Sequence, residues 1–472
     1  MHLRGGSLAF DRMVARGGKL VFVDPRRSES AKRWGEHLAI RPGTDVWLLL
    51  GLLRRVVARD PARAGGLGPL VELAQAVSID EARTGLAPGD IDALADRIAT
   101  VPTAFHASLG VNQGGYGTLC YVAIQALAHA TGYAGMLFGP YAKLLHGLRL
   151  PGVAGATSRI GGFPSVLGTL PGAVLADEIT TPGRDQIRAL VVIAGDPVRS
   201  IPGSGRLERA IAGLDFVLAI DMFENATSRR ADVLLPATSW LERGDIAALG
   251  ALFQDHLELQ VTGAVRPAPG EAREETAIVA ALLRAMRAPW WSRVAVRGLE
   301  RTARSLHVTR RTSWSPPARL VAALHRLPRP APRFWSQELD VEARRLRSEP
   351  PPGDGLVMIT RRRRLGHNSW LHGAGRRGAA EAEVWISTDD AARLGIAPGD
   401  RVRIRGQGGA LVLPAGVIPQ VAPGTVVIPH GLPDANVNEL IPSGAAAAEP
   451  ASGQHRMTGI SIEIEVVSKV VG

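Results

Sequence analysis

Cysteine is almost missing from this sequence. The 472 residues contain a single one, Cys120, which excludes an internal disulfide framework and any all-cysteine zinc or iron–sulfur site built by this chain alone. Cys120 lies in the apolar stretch TLCYVAIQALAHA, which predicts a helix with the thiol packed in a core. We therefore expect no iron–sulfur cluster in this chain.

Aromatic residues and long apolar runs are also scarce. Aromatics make up 5% of the residues, and neither a basic–aromatic sheet nor a recognition helix is visible, which disfavours nucleic-acid binding. The apolar stretch AGMLFGPYAKLLHGL is interrupted by Gly, Pro, Lys and His and falls short of the roughly 18 uninterrupted residues of a spanning helix. Neither a secretory signal nor a membrane anchor is visible in the N-terminal MHLRGGSLAF. We expect a cytoplasmic protein without direct membrane insertion.

The charge balance favours basic residues. Subtracting 44 acidic from 55 basic side chains gives a net charge of +11, which indicates polyanionic partners such as phosphates, nucleic acid or an acidic protein face. With 46% hydrophobic residues, the chain can bury a large core, and its length favours two or more domains.

Patterning divides the chain into three parts. Residues 1–283 alternate apolar strands with helices: a helix over 7–16 precedes the strand LVFV, and strand 189–195, helix 205–214 and strand 215–221 follow later. Continuous apolar strands between helices predict an α/β fold with Rossmann-like parallel sheets covered on both faces, in two interleaved subdomains. Residues 284–354 read as a basic Pro/Arg-rich linker. Residues 355–472 predict a small β-barrel with one helix, TDDAARLG, capped by Thr388 and stopped by Gly395.

Polar residues end three of the predicted parallel strands. Asp24-Pro25-Arg26-Arg27 follows the first strand, Gly195-Asp196-Pro197 the second, and Asp221 ends the third. Ligands of open parallel sheets bind at these carboxyl ends, where an acid accepts hydrogen bonds from a ribose or a guanine edge and arginines hold a pyrophosphate. Together the corners predict a nucleotide pocket. Each Asp alone could instead cap the next helix or pair with an arginine, and Arg26-Arg27 could be a solvated face. No Gly-x-Gly-x-x-Gly follows any strand, which disfavours nicotinamide or flavin.

The order of further motifs resembles a known family. The series is DPRRSESA, RPGTD, GVNQGGYGT, AGDPVRSIP, RADVLLPATSWLERGD, PGEARE, ITRRRRLGHNSWLHG and the barrel segments APGDRV and ANVNEL. This series resembles the large subunits of molybdopterin oxidoreductases of the dimethyl sulfoxide reductase and formate dehydrogenase type. The resemblance implies a bis(molybdopterin guanine dinucleotide) cofactor with molybdenum or tungsten, two-electron redox chemistry on a small-molecule substrate, and a C-terminal double-psi β-barrel.

The resemblance also implies roles for particular residues, although it names no catalytic residue and no metal ligand. The residues matching one guanosine site are Asp24, Pro25, Arg26, Gly43, Thr44 and Asp45. Those matching the other are Asp221, Arg243 and Glu275, the last replacing a more common Asp. Gly195 and Asp196 occupy a turn that usually carries Asn, and an acid accepts hydrogen bonds there without donating.

The remaining matched positions surround the pterins. Gln113 matches a residue near a pterin. The matches in the first barrel strand and its loop are Thr360, Arg362, His367, Asn368 and Ser369. The matches to the closing contacts are Asn436 or Asn438, and Gln454.

The DPR corner comes early in the chain. In the family, a cysteine-rich segment and the loop bearing the metal ligand both precede this corner, whereas the residues before Asp24 contain neither. We expect this chain to correspond to the C-terminal portion of a catalytic subunit, partnered by a separate N-terminal half or an iron–sulfur electron-transfer subunit, and inactive or weak alone. The alternative is a non-catalytic carrier or scaffold that binds the molybdopterin guanine dinucleotide.

Overall fold

The first part of the chain combines a small parallel sheet with a helical layer. The computed structural model describes residues 6–79, 81–133, 156–166, 168–246, 259–287, 289, 294, 298, 312–314, 334–362, 382–432 and 434–470. The chain opens with α1 (Gly6–Ala15), β1 (Leu20–Val23), α2 (Glu29–Trp34) and β2 (Gly35–Leu38). Strands β1 and β2 pair in parallel. The predicted first helix and strand are confirmed, and β1 delivers the DPR corner at its carboxyl end.

A helical layer follows this sheet. Its members are α3 (Asp45–Arg59), α4 (Gly68–Ala76), α5 (Glu81–Thr84), α6 (Asp90–Thr100), α7 (Leu109–Asn112) and α8 (Gly117–Ala130). Helix α3 forms the centre because nine of its fifteen residues are buried, which gives it apolar contact surface on several sides. Cys120, on α8, is 3% exposed in the same core, so the predicted packed thiol is confirmed.

A second parallel sheet follows. Its elements are α9 (Leu175–Thr180), β3 (Ala189–Ile193), α10 (Pro197–Ser200), α11 (Ser204–Ala212), β4 (Phe216–Asp221), β5 (Val233–Pro236) and α12 (Glu275–Ala285). The strand order is β3-β4-β5, with parallel pairing throughout. Since parallel strands share one carboxyl edge, residues 195–196, Asp221 and the chain after Pro236 meet there.

Helices pack on both faces of this sheet, as predicted, but the coverage of the second face is incomplete at the edge strand β3. Helices α9 and α11 pack on Val217, and on the other face α12 covers Leu218 and Ile220 through Ile278. Val191 and Ile193 of the edge strand β3 remain 55% and 48% exposed. The correction has a simple reason: α12 covers the β4–β5 side and does not reach the β3 edge.

The segment predicted as a linker contains regular structure. A three-stranded antiparallel sheet joins β6 (Asp245–Ile246), β7 (Leu259–Thr262) and β8 (Thr312–Trp314). Helix α13 (Gln337–Arg347) packs Leu339, Ala343 and Leu346 into the helical core of α3 and α8. Its core residues recur at helical spacing, but the segment was assigned from its arginine and proline content, in which that spacing does not show.

The C-terminal part is a closed β-barrel. Its elements are β9 (Leu356–Arg361), β10 (Val384–Ile386), α14 (Thr388–Leu394), β11 (Arg401–Gly406), β12 (Gly409–Val417), β13 (Thr425–Pro429) and β14 (Ile460–Ser468). The order around the barrel is β10-β12-β11-β14-β9-β13, and β13 closes it on β10. The predicted strands are confirmed. The cap of α14 differs: Ser387, rather than Thr388, accepts the Asp390 N–H at 3.0 Å, and Gly395 ends the helix at φ 64°.

The barrel contacts both parallel sheets. Beside β1, Arg27 N–H donates to the Gln420 carbonyl at 2.9 Å, and Ala422 N–H donates to the Pro25 carbonyl at 3.1 Å. Beside β3, the Asn438 side chain donates to the Arg199 carbonyl at 2.6 Å. The barrel therefore bridges the two carboxyl edges. Among the described residues, no helix has the length and apolarity needed to cross a membrane.

Candidate cofactor site

The first corner is built around Asp24, immediately after β1. One Asp24 carboxylate oxygen accepts the Arg26 N–H at 2.8 Å, and the Asp24 carbonyl lies 2.7 Å from His37 Nε2 on the neighbouring strand. Burial raises the pKa of Asp24 above its ordinary value. The turn therefore engages one carboxylate oxygen of Asp24, and the other oxygen can accept hydrogen bonds from a ligand.

A second carboxylate lies close to the first. Asp45 begins α3, and burial, assisted by the negative charge of Asp24, raises its pKa to about 6. The residues before it have structural roles: Gly43 has φ 80°, and the buried Thr44 hydroxyl donates to the Arg41 carbonyl at 2.7 Å. The corner therefore gathers two desolvated carboxyl groups, a good match for ligands that present several N–H or O–H donors.

The barrel fixes Arg26 at this corner. Its backbone bridges Val421 of the barrel, and its guanidinium lies 5.6 Å from the ring centroid of Trp385 on β10. Arg361 lies 3.7 Å from the same ring. The sequence predicted Arg26 but not Trp385, since an isolated tryptophan in a strand gives no sign that a distant arginine packs on it.

The second corner lies at the carboxyl edge of β3 and β4. Buried Asp196 accepts both the N–H and the hydroxyl of Thr227, at 3.1 and 2.6 Å. Asp221 accepts the Phe223 N–H at 3.2 Å and the Asn225 side chain at 3.0 Å. The Asn225 amide also donates to the Gly195 carbonyl at 3.4 Å. Burial raises the pKa of Asp221, and the Asp196 charge adds to the effect.

Arg243 and Glu275 meet beside this second corner. They form an ion pair although 32 positions separate them in the chain. The strand edge explains the approach: Ala237 N–H donates to the Asp221 carbonyl at 3.0 Å, and Ala237 also bridges Arg273. The three residues predicted for one pocket, Asp221, Arg243 and Glu275, are thus brought to one edge of the sheet.

The other predicted residues lie along the barrel and its contacts. Asn436 and Asn438 donate side-chain hydrogen bonds to the carbonyls of Val198 and Arg199 at 3.2 and 2.6 Å. The Gln113 carbonyl accepts the N–H groups of Met457 and Thr458 at 2.8 and 3.1 Å. These three residues join parts of the protein to each other.

Three predicted barrel residues have few side-chain hydrogen bonds to the residues that the structure describes. Arg362 and Gln454 are exposed, and Thr360 lies half-buried on β9 beside Ile428. His367, Asn368 and Ser369 lie outside the described residues.

Comparison with known proteins identifies the class. Residues 9–285 match the family model described as Molybdopterin oxidoreductase, and residues 356–457 match the model described as Molydopterin dinucleotide binding domain. Because the first model covers more than half of the chain, this protein belongs to the molybdopterin oxidoreductase family. The predicted family resemblance is confirmed.

Individual relatives match a little over half of the chain. It is 24% identical to the assimilatory nitrate reductase catalytic subunit of Bacillus subtilis over 310 residues, which are 59% of this chain and 43% of that one. It is 27% identical to the F420-dependent formate dehydrogenase subunit alpha of Methanocaldococcus jannaschii over 301 residues, 57% of this chain and 43% of that one. The match therefore spans less than half the length of these relatives.

A solved structure shows the same fold. Acetylene hydratase from Pelobacter acetylenicus superposes with a TM-score of 0.72 at 18% sequence identity, covering 96% of this chain and 74% of that one. At this level of identity the likeness concerns the fold. It supports mixed α/β architecture with parallel sheets and a closed C-terminal barrel.

Proposed function

We propose that this chain binds bis(molybdopterin guanine dinucleotide) and forms the cofactor-binding part of an oxidoreductase catalytic subunit. One observation supports the proposal: the barrel contacts both acid-bearing carboxyl edges, so the two corners that we propose for the nucleotides lie against the same barrel. The family membership supports the same cofactor. When bound, the group supplies two-electron redox chemistry at molybdenum or tungsten, while the protein supplies binding, orientation and electrostatics.

The residues present fit such a ligand. Asp24 and Asp45 offer carboxylate acceptors to the donor edge of one guanine or its ribose, with Gly43 leaving room for close approach. Asp221 and the Arg243–Glu275 pair serve the second guanosine. Thr360, Arg362 and Gln454 would hold the pterins from the barrel side, and His367, Asn368 and Ser369 are further proposed contacts.

Four predicted residues take positioning roles in this proposal. Thr44, Asp196, Asn436 and Asn438 direct their side chains to protein atoms. They therefore hold the ligand-facing segments in place. We also propose that the barrel is of the double-psi type, which its mixture of parallel pairs (β9 with β13, β10 with β12) and antiparallel pairs supports.

The catalytic role and its partners extend the proposal. The names of the relatives indicate nitrate or formate chemistry and subunit organisation, and we propose a small-molecule substrate and a partner that supplies an N-terminal half or an iron–sulfur centre.

The test uses the chain purified from a host that synthesises molybdenum cofactor. Its metal content and the guanine nucleotide that it releases are measured first. Dye-linked nitrate reduction and formate oxidation are then assayed with and without the partner protein. Bound metal and nucleotide with turnover support the enzyme. Bound cofactor without turnover under either condition supports the carrier, and protein free of metal and nucleotide contradicts both.

A further inference from the structure

Trp385 is the aromatic residue at which the barrel meets the first corner. Its neighbours on β10, Val384 and Ile386, are 0% exposed and belong to the barrel core, so the alternation of the strand directs the indole outward. The indole is nevertheless half-buried. The guanidinium groups of Arg361 and Arg26 lie 3.7 and 5.6 Å from its ring centroid. One ring therefore packs beside an arginine of the barrel and an arginine of the corner.

The strand next to β10 leaves room for the indole. Trp385 pairs with Gly416 of β12 in parallel register, and a Cβ built on Gly416 would lie 3.0 Å from Trp385 Cδ1. Any side chain at position 416 would crowd the ring, which is a common reason for glycine inside a strand. The pair of glycine and tryptophan therefore fixes where the indole lies.

Arg361, at the end of β9, is held at the ring by barrel atoms. Its Nη2 group donates to the Glu383 carbonyl at 3.1 Å, and its own carbonyl accepts the His430 N–H at 3.0 Å. Planar guanidinium groups stack favourably on aromatic rings. Turning the indole would break this stacking contact, so the barrel alone keeps the ring in place.

Arg26 has a fixed backbone but a weakly held side chain. Backbone hydrogen bonds on both sides of Arg26 attach the corner to the barrel independently of the indole. The Arg26 guanidinium pairs with Glu29 at 3.3 Å, but the Glu29 side chain is 80% exposed, and exposed pairs of this kind contribute little. The Arg26 side chain is only 22% exposed. Among the described residues, the Trp385 ring is the partly buried group that orients it.

The orientation of Arg26 matters for Asp24. Burial raises the pKa of Asp24, whereas the N–H and the positive charge of Arg26 act in the opposite direction. Arg26 thereby favours the carboxylate form of Asp24, which accepts hydrogen bonds from a guanine or a ribose. A guanidinium that turned into solvent would lose much of this effect. The acceptor strength of the corner therefore depends on where Arg26 is held.

We infer that Trp385 is a positioning residue of the first corner: its ring holds the Arg26 guanidinium beside Asp24 and so raises the affinity of the corner for a guanosine phosphate. The inference rests on the proposed function, because it concerns the same ligand. It goes further by giving a role in ligand binding to a barrel residue that no sequence motif indicated. The effect of Trp385 passes through Arg26.

GDP binding to the full chain measures this effect. The chain is purified from a host that makes no molybdenum cofactor, with Asp221→Asn in the parent and in every variant so that the first corner dominates binding, and GDP is titrated by calorimetry. Trp385→Leu is expected to weaken GDP binding about tenfold, because Arg26 loses its aromatic support. Trp385→Phe keeps an aromatic face and should bind within about threefold of the parent.

A double variant shows whether Trp385 acts through Arg26. Arg26→Gln alone should weaken GDP binding, and adding Trp385→Leu should weaken it no further, because the side chain that the ring positions is already gone. A tryptophan that only stabilised the fold would weaken binding by the same factor in both backgrounds. Trp335→Leu is the matched control, since Trp335 is also half-buried and donates to Asp340 at 2.8 Å. It should leave GDP binding unchanged.

Arginine labelling tests the positioning without any ligand. The chain is treated with phenylglyoxal in the absence of GDP, and peptide mass spectrometry gives the labelling rate of each arginine. Trp385→Leu should raise the labelling rate of Arg26 about threefold or more, because the guanidinium is released from the ring. Arg401, an exposed arginine on β11, should be labelled at the same rate in both proteins.

The outcomes separate the inference from the proposed function. GDP binding that is weakened by Trp385→Leu, restored by Trp385→Phe and non-additive with Arg26→Gln supports the inference. It is overturned if the parent binds no GDP, if Trp385→Leu binds GDP as the parent does, if its effect is additive with Arg26→Gln, or if Arg26 is labelled equally in both proteins. The metal and guanine content of the wild type from a cofactor-producing host decides on the proposed function separately.

Discussion

At the scale of single residues, the first corner concentrates unfavourable charge. Asp24 and Asp45 are both desolvated, and burial together with the negative charge of Asp24 raises the pKa of Asp45 to about 6. Replacing one carboxyl group of such a pair would raise the free energy of unfolding. Ligand-binding sites commonly retain such pairs because the carboxylates bind the ligand.

Asp45→Asn tests this reasoning. The folded-state pKa of Asp45 is raised above its ordinary 3.8, so the folded chain binds more protons than the unfolded chain between about pH 4 and 6, and stability falls as pH rises through that window. We expect Asp45→Asn to raise the free energy of unfolding at pH 7.5 by about 1 to 3 kcal/mol while reducing retention of guanine nucleotide. Chemical denaturation at pH 7.5 and nucleotide analysis measure both. An unchanged or lower stability would contradict the account.

His455 predicts the opposite pH dependence. Its side chain is 5% exposed, and burial lowers its pKa from 6.5 to about 4. The unfolded chain therefore binds a proton between about pH 6.5 and 4 that the folded chain does not, so this residue makes stability fall as pH falls.

We expect His455→Leu to remove roughly 2 kcal/mol of the stability difference between pH 7.5 and 5. Denaturation curves of both proteins at the two pH values measure it. An equal pH dependence in the variant would show that His455 does not remain neutral.

At the scale of elements, α8 depends on a residue from the barrel's last loop. Glu449 places its carboxylate on the Thr118 N–H at the first turn of α8, where a negative charge interacts favourably with the helix dipole. The cap comes from 331 positions away, so the helix end and the loop stabilise each other.

Glu449→Gln should lower the free energy of unfolding by about 1 to 2 kcal/mol, because it removes the charge from buried hydrogen bonds. Glu463→Gln, at an exposed position on β14, is the control and should change little. If the two variants are equally stable in urea denaturation, Glu449 does not stabilise α8 as a cap.

Elements with a clear local signal were predictable from the sequence. Strands β9 to β14 and the pair β3–β4 are short apolar runs between turns, and this pattern is visible in the amino-acid sequence. Helix α13 was not predictable, because its three core residues are separated mostly by charged side chains and its partners lie on α3 and α8. The coverage of β3 was wrong for a related reason, since the reach of α12 depends on tertiary packing.

The candidate site divides in the same way. Asp24, Asp45 and Asp221 were identifiable because strand ends and family motifs mark them. Trp385 was not, since it packs on Arg26, a residue distant in the chain. Sequence also could not show that Asn436 and Asn438 bond to the segment at Val198 and Arg199.

At the scale of the whole molecule, the barrel joins the two corners. Asn438→Ala removes its side-chain hydrogen bond to the Arg199 carbonyl and should lower the free energy of unfolding by about 1 to 2 kcal/mol. Gln454→Ala, at an exposed side chain, is the matched control. If the two variants unfold at the same denaturant concentration, the contact does not hold the barrel to the second sheet.

The stoichiometry of guanine nucleotide to metal tests the central claim most directly, because two corners joined by one barrel require two nucleotides for each metal. The protein from a cofactor-producing host is denatured, and released guanine nucleotide and molybdenum or tungsten are quantified. The account predicts two guanine nucleotides per metal atom, with fewer retained in Asp24→Asn and in Asp221→Asn. One nucleotide per metal, or a ratio of two unchanged in both variants, would contradict it.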